Sequence, residues 1–307
     1  MQVSVIDLGS NSIRLVIYRW NGKKLIKIQD VKRQAKSMKF IHHNQMSFEG
    51  IENIISTLKE LILISRSFST NDIRIFATAA IRNIENSETV RKTIENELHI
   101  KIDVLDGIEE SLLGFEGAKQ VVELPIEGLS IDIGGGSTEI TYFKNKIPVF
   151  SDSIPIGSLN LYLNFVDNVL PTKGEQFLMN LEISNQLNHI DWLNNLKLDT
   201  IIGIGGSSRA IFKLYKTKND LDESIYNYVL DYEIIHEFAN IDKDNFNDIT
   251  KLIVDSAPER LTTIIPGAMI LNQIFKRVQA KNFILSAYGV REGYLFNRVI
   301  QLENDYE

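Results

Sequence analysis

Leu129 to Phe143 reads LSIDIGGGSTEITYF: an apolar strand, a glycine-rich turn and a second strand. Gly134, Gly135 and Gly136 carry no Cβ, so this turn is free to take positive φ and to converge its N–H groups on an anion. Ser137 and Thr138 add hydroxyl donors. Asp132 and Glu139 flank the turn; carboxylates there repel a bare phosphate but suit a Mg²⁺ ion or an oriented water beside one. A phosphate loop that performs chemistry is one reading of the stretch. A glycine-rich β-hairpin with a tight turn is the other.

A second copy tips the balance toward the phosphate loop. Residues 3 to 18, VSVIDLGSNSIRLVIY, overlie residues 128 to 143 at a constant offset of 125, so that Asp7 falls on Asp132, Gly9 on Gly134 and Ser12 on Ser137. Strand, Asp, polar turn, Ser and strand recur in order, as a duplicated half-domain would leave them. Gly9, Ser10, Asn11 and Ser12 thus form a second candidate phosphate loop, and Asp7 joins Asp132 as a candidate metal ligand. Two such loops imply two facing lobes with a ligand of several phosphates held in the cleft between them. A third candidate lies in TIIGIGGSSRAIFKLY, residues 200 to 215, where an apolar strand runs through Gly205, Gly206 and Ser207 into a helix N-terminus.

The chain has 307 residues, of which 44% are hydrophobic, enough for about two domains with substantial cores. With no cysteine, disulfides, thiolate nucleophiles and Cys-ligated metals are excluded. No apolar run is long enough to span a bilayer and the first strand begins at once, so a cytoplasmic protein without a signal peptide or membrane partner is expected. Net charge is −7, so an anion site must be built locally. Dispersed Lys and Arg without an aromatic platform speak against nucleic acid.

Along the chain, Trp20-Asn21-Gly22-Lys23 reads as a hairpin turn, and Lys32, Arg33, Lys36 and Lys39 follow on a strand as a solvated face or an extended anion track. Ile51, Ile54, Ile55, Leu58, Leu61 and Ile62 form a helical stripe. Residues 73 to 80, IRIFATAA, are a strand and small-residue turn ending at Arg82, which serves either a ligand or a surface cap. After a strand to Leu105, Glu109 and Glu110 open a helix, where acidic residues are dipole partners or, beside a phosphate, a group that orients water. Residues 123 to 128, ELPIEG, read as a linker, giving domains 1–124 and 125–307, with the last helix packing back on the first. Thr172 to Glu175 is a capping box. Residues 217 to 250 are helical in pattern and carry no assigned chemistry; Pro266-Gly267 marks a helix break.

Together IDLGSNSIRL (6 to 15), ATAAIR (77 to 82), DGIEES (106 to 111), IDIGGGSTE (131 to 139), GIGGSSR (203 to 209), ER with PGAMIL (259 to 271) and YGVREG (288 to 293) resemble the exopolyphosphatase and guanosine pentaphosphate phosphohydrolase family, Ppx/GppA. The resemblance covers nearly the whole chain. It implies an α/β fold of two ribonuclease-H-like lobes, as in the actin, sugar-kinase and Hsp70-ATPase superfamily. It implies Glu110 as the base on an attacking water, Asp132 and Glu139 as the acidic pair around metal and water, and Asn11, Ser12, Gly135, Gly136 and Ser137 in facing phosphate loops. Arg82 matches an arginine of the cleft. Lys36-Ser37-Met38 departs from the family's Arg-Leu-Gly, Asp106 stands where Ser is common, and Ala287 where a small polar residue is usual. The chain ends where longer members add a helical domain, so a short, two-domain member is expected. The implied activity is Mg²⁺-dependent (or Mn²⁺-dependent) release of terminal orthophosphate from polyphosphate, or conversion of pppGpp to ppGpp, with a homodimer by analogy. An actin-like kinase, a non-catalytic polyphosphate or alarmone sensor and an actin-like filament former are the competing classes.

Overall fold

The computed structural model describes residues 1–35 and 37–300, leaving aside the side chain of Asn227. The chain divides into two compact units, Met1–Asp106 and Gly107 onward. In the first, strands β1 (Gln2–Leu8), β2 (Ile13–Trp20) and β3 (Leu25–Arg33) form a meander, followed by a small hairpin of β4 (Ile41–His42) and β5 (Gln45–Met46). Helix α1 (Phe48–Ser67), β6 (Ile73–Ala77), α2 (Ala79–Arg82), α3 (Ser87–Leu98) and β7 (Ile102–Val104) complete it. The second unit runs α4 (Gly107–Lys119), β8 (Glu127–Ile133), β9 (Thr138–Lys144), β10 (Ile147–Ile154), α5 (Ser158–Phe165), α6 (Lys173–Leu187), β11 (Thr200–Ile204) and α7 (Gly205–Lys218). It continues with β12 (Val229–Asp231), α8 (Tyr232–Ala239), α9 (Phe246–Ser256), α10 (Ile264–Val278), β13 (Asn282–Leu285) and α11 (Val290–Leu295).

The two units repeat one topology. The first sheet has the order β3-β2-β1-β6-β7 and the second β10-β9-β8-β11-β13-β12, each an antiparallel meander followed by parallel strands, with β12 added to the second as an antiparallel edge strand. The 125-residue offset holds down to single hydrogen bonds. Asp7 pairs in register with Arg14 as Asp132 does with Glu139, and Leu8 with Ile13 as Ile133 does with Thr138. Gly9 N–H donates to the Ser12 carbonyl (3.2 Å) as Gly134 N–H does to that of Ser137 (3.0 Å). This is the α/β fold of two ribonuclease-H-like halves that the resemblance implied.

Strand alternation sorts the second sheet's faces. Leu129, Ile131, Ile133, Ile140 and Tyr142 point into the large core shared with Leu161 of α5, Met179 of α6 and most of α10. Phe143, Ile202 and Ile204 point the other way, onto Phe115 and Ala118 of α4. Asp132 and Glu139, one residue out of phase with the first set, therefore lie on the α4 face. In the first unit the stripe of α1 packs with Ile6, Leu8, Ile13 and Leu15, which places Asp7 on the opposite face.

Three expectations are corrected by packing. The boundary lies before α4, not at 124/125: Gly107 abuts Ser153, the Ser111 and Thr141 hydroxyls hydrogen-bond at 2.6 Å, and Gly117 and Gly293 bring α4 and α11 together where no Cβ would fit. The 123–128 segment is thus a connection inside the second unit, and the last helix packs on α4 there. Helix α10 runs unbroken through Pro266, because a proline in the first turn lacks only an N–H that has no helical partner. Residues 217 to 250 include a strand, β12, as well as helices. The capping box forms as read: Glu175 N–H donates to Thr172 Oγ1 (3.3 Å), and Thr172 N–H to the Glu175 carboxylate (2.6 Å). At the predicted hairpin, the Asn21 side chain accepts from Lys23 and Lys24 N–H and Gly22 takes φ 87°.

The copies diverge where Arg14 stands in place of Glu139. Arg14 grips Asp30 on β3 through Nε (2.7 Å) and Nη2 (2.6 Å). Burial works against ionisation of Asp30, but the hydrogen bonds and charges of Arg14 and then Lys27 outweigh it and hold the carboxyl at about 2, below its ordinary 3.8. A depressed carboxylate pKa stabilises the fold above the unfolded value, and that contribution fades as pH falls through the folded one. The melting temperature of Asp30→Asn is expected to fall below wild type at pH 6, by the equivalent of about 1 kcal/mol after solvent screening. The gap should close between pH 4 and pH 2; a gap independent of pH would show that the ion pair is not its source.

Candidate active site

The orientation of the Gly134–Gly136 loop follows from its carbonyls. The first three N–H groups of α5, which a helix cannot satisfy itself, donate into the loop: Ser158 to Gly134 (2.9 Å), and Leu159 and Asn160 both to Gly135 (3.0 Å each). Ser158 Oγ adds a bond to the Gly134 carbonyl (3.0 Å) and Asn160 Nδ2 one to that of Gly136 (3.2 Å). No peptide here is cis, and in a planar trans peptide the N–H points opposite to the C=O. With three successive carbonyls turned toward α5, the N–H groups of Gly135, Gly136 and Ser137 are turned away from it. Because α5 belongs to the core on one face of the sheet, they are directed toward the side that carries Asp132 and Glu139.

The glycines act differently from expectation. Among the described residues the positive-φ glycines are Gly22 and Gly205 (φ 77°), not the 134–136 triplet. Close approach instead requires glycine at Gly157, at the head of α5, where a Cβ would stand 2.6 Å from Gly136 N. Two of the predicted phosphate donors are spent inside the fold. Thr138 is fully buried and its hydroxyl donates to the Ile156 carbonyl (2.7 Å); Ser207 is buried and donates to Ile133 (2.8 Å). Both hydroxyls tie the loop to its neighbours.

Asp132 and Glu139 face each other across β8 and β9, and such partners hold their Cβ atoms about 5 Å apart. Glu139 is 2% exposed and accepts from Ser153 Oγ (2.8 Å), whose Cβ is contacted by the start of α4. One turn along that helix, Glu110 is 8% exposed. Its neighbour Glu109 is ion-paired to Arg298, which distinguishes the two acids: one is anchored outward and the other is buried on the helix that covers the Asp132–Glu139 face. The Asp132 carboxylate rests against Gly205, where a Cβ would collide with it. At the next residue, Gly206, a Cβ would collide with the guanidinium of Arg260. Arg260 was missed in the sequence; its only trace was an Glu-Arg pair ahead of the PGAMIL helix. Gly205 and Gly206 thus serve by yielding space to an acid and a base at the N-terminus of α7.

Among the described residues no group of three or more His, Asp or Glu side chains could hold a metal by itself. Mg²⁺ takes one or two carboxylates and fills its remaining positions with water and substrate phosphate, so Asp132 beside the glycine loop fits that mode. Asp7 fits it less well, because its cross-strand partner is the cation Arg14. In the first unit, Gly9 to Ser12 form the equivalent turn, and Ser10 is buried. Arg82 closes α2 and donates to the Leu105 carbonyl (3.1 Å) and to Asn83 (3.2 Å). Of the expected basic track, Arg33 is paired with Glu60 and Lys36 lies outside the described residues. No helix among the described residues is long and apolar enough to cross a membrane.

The chain resembles known proteins along nearly its whole length. Exopolyphosphatase 1 of Mycobacterium leprae is 21% identical over 305 residues, covering 97% of this chain and 90% of its own length. Guanosine-5'-triphosphate,3'-diphosphate pyrophosphatase of Pseudoalteromonas atlantica is 23% identical over 98% of this chain, which spans 59% of that protein. Among solved structures, an exopolyphosphatase from Cytophaga hutchinsonii superposes with a TM-score of 0.87 at 20% identity, and the Aquifex aeolicus member of the Ppx/GppA family with 0.79 at 25%; each comparison covers 98% of both chains. The model of the Ppx/GppA phosphatase family matches residues 16–301, nearly the full chain, and the protein belongs to that family.

Proposed function

We propose that the chain is an exopolyphosphatase, releasing terminal orthophosphate from inorganic polyphosphate with Mg²⁺ as cofactor. The observation that carries this reading is the row of N–H groups at Gly135, Gly136 and Ser137, turned toward the same side of the sheet as Asp132, Glu139 and the helix bearing Glu110. A loop built only to store phosphate gains nothing from buried carboxylates beside it, since like charges repel. A hydrolase needs them.

In phosphoanhydride hydrolysis the protein chiefly positions and neutralises, because charge spreads over the equatorial oxygens of the phosphoryl group in flight. The loop N–H groups hold those oxygens, and Arg260 beside Gly206 adds positive charge. Glu110 accepts a proton from the attacking water as its oxygen bonds to the terminal phosphorus. The phosphorus–bridging-oxygen bond breaks, and its electron pair leaves with the shortened chain. Glu139, fixed by Ser153, orients the water. Mg²⁺ held by Asp132 would offset the charge of the terminal phosphate. The same reading assigns Gly9, Ser10, Asn11, Ser12 and Arg82 of the first unit to substrate phosphates. Conversion of pppGpp to ppGpp is the second reading, supported by the likeness over 98% of this chain to a relative named for that substrate.

Two measurements test the assignment. Glu110→Gln is expected to lower orthophosphate release from long-chain polyphosphate by about 10³-fold with KM little changed, the usual scale for a lost general base; retained turnover would remove Glu110 from the mechanism, and parallel rates on pppGpp would rank the two substrates. Arg298→Ala should remove the ion pair to Glu109 at the head of α4 and disturb its neighbour's placement, lowering kcat by about tenfold at constant KM. A rise in KM with kcat intact would show that the ion pair does not position the base.

A further inference from the structure

A cavity of about 450 Å³ opens between the start of α6 and the start of α9, in a part of the chain whose sequence pointed to no chemistry. Ligand pockets commonly fall in this size range and combine an apolar wall with a few polar groups. The wall here is Leu170, Pro171, Ile241 and the ring of Phe246, which is 43% exposed. Lys173 and Lys243 flank it, and neither ammonium has an ion-pair partner among the described residues. Other polar groups of the lining are already engaged: Asp242, its one carboxylate, accepts from the N–H groups of Asp244 (3.0 Å) and Asn245 (3.2 Å), and Thr172 is closed in its capping box with Glu175. An apolar wall beside two lysines and a single carboxylate, which is turned into its own loop, is net positive and complementary to a molecule that is apolar at one end and anionic at the other.

We propose that this cavity binds a small organic anion whose apolar body packs on Phe246 and whose single anionic head lies between Lys173 and Lys243. Polyphosphate is excluded by this chemistry, since it offers nothing to the apolar wall, and the inference stands apart from the hydrolytic reading. From the cavity, α9 runs to Ser256, one residue short of the Pro258–Arg260 turn, so the ligand would sit at the far end of the helix that leads to Arg260.

The probe is 8-anilinonaphthalene-1-sulfonate, an apolar ring system with one anionic head, titrated by fluorescence into the full chain. Saturable binding at one site is expected. The double variant Lys173→Met/Lys243→Met, which keeps the apolar stems, and separately Phe246→Ala should each weaken it about tenfold, with melting temperatures unchanged, as these side chains are exposed. Inorganic phosphate at equal ionic strength should not displace the probe. Affinity within about twofold of wild type in either variant, or displacement by phosphate alone, would overturn the proposal.

Discussion

The backbone exchange between the glycine loop and α5 is the constraint on which the site depends. A helix start has donors without acceptors, and a turn free of side chains has carbonyls to offer; each satisfies the other. Peptide planarity then leaves no choice about the next three N–H groups. The orientation of the loop is thereby fixed by hydrogen bonds made on its back. Gly157 is as necessary to this as the triplet itself, because any side chain there would strike the Gly135–Gly136 peptide.

Duplication supplied two such turns, and divergence made them unequal. The register of strands and the Gly-to-Ser hydrogen bond are identical in both units, so the scaffold has been kept. The position across from the aspartate has not. In the first unit it is Arg14, engaged by Asp30 in a stabilising pair; in the second it is Glu139, buried and steadied by Ser153. One copy invests that position in the stability of its sheet, the other places a second carboxylate beside the loop. The acid–acid pair is the less favourable arrangement for folding, which is what a functional site tends to look like.

Helix α4 completes the second unit, and small residues allow it to. Gly107 admits Ser153, and Gly117 with Gly293 admits α11, so the helix lies close over the carboxylate face. Its two first-turn acids then separate by environment: Arg298 draws Glu109 outward while Glu110 is buried.

Much of this was legible in the sequence. Strand and helix periods, the capping box at Thr172 and the repeat at an offset of 125 are local or self-referential patterns, and they fixed the elements, the duplicated α/β fold and the family. The acids Glu110, Asp132 and Glu139 were legible for the same reason, lying in short ordered motifs. What the sequence could not convey is where a group's hydrogen-bonding capacity is spent. Thr138 and Ser207 have the right chemistry for phosphate, yet their hydroxyls are taken by carbonyls that only the folded chain brings near. Arg260 arrives at Gly206, and Lys173 and Lys243 come to line one cavity, across separations of tens of residues that carry no periodic signal. The sequence by itself determined which segments become strands, turns and helices, because that information is written within a few residues. Tertiary structure alone decided which donors are spent inside the protein, because each polar group is committed by its neighbours in space.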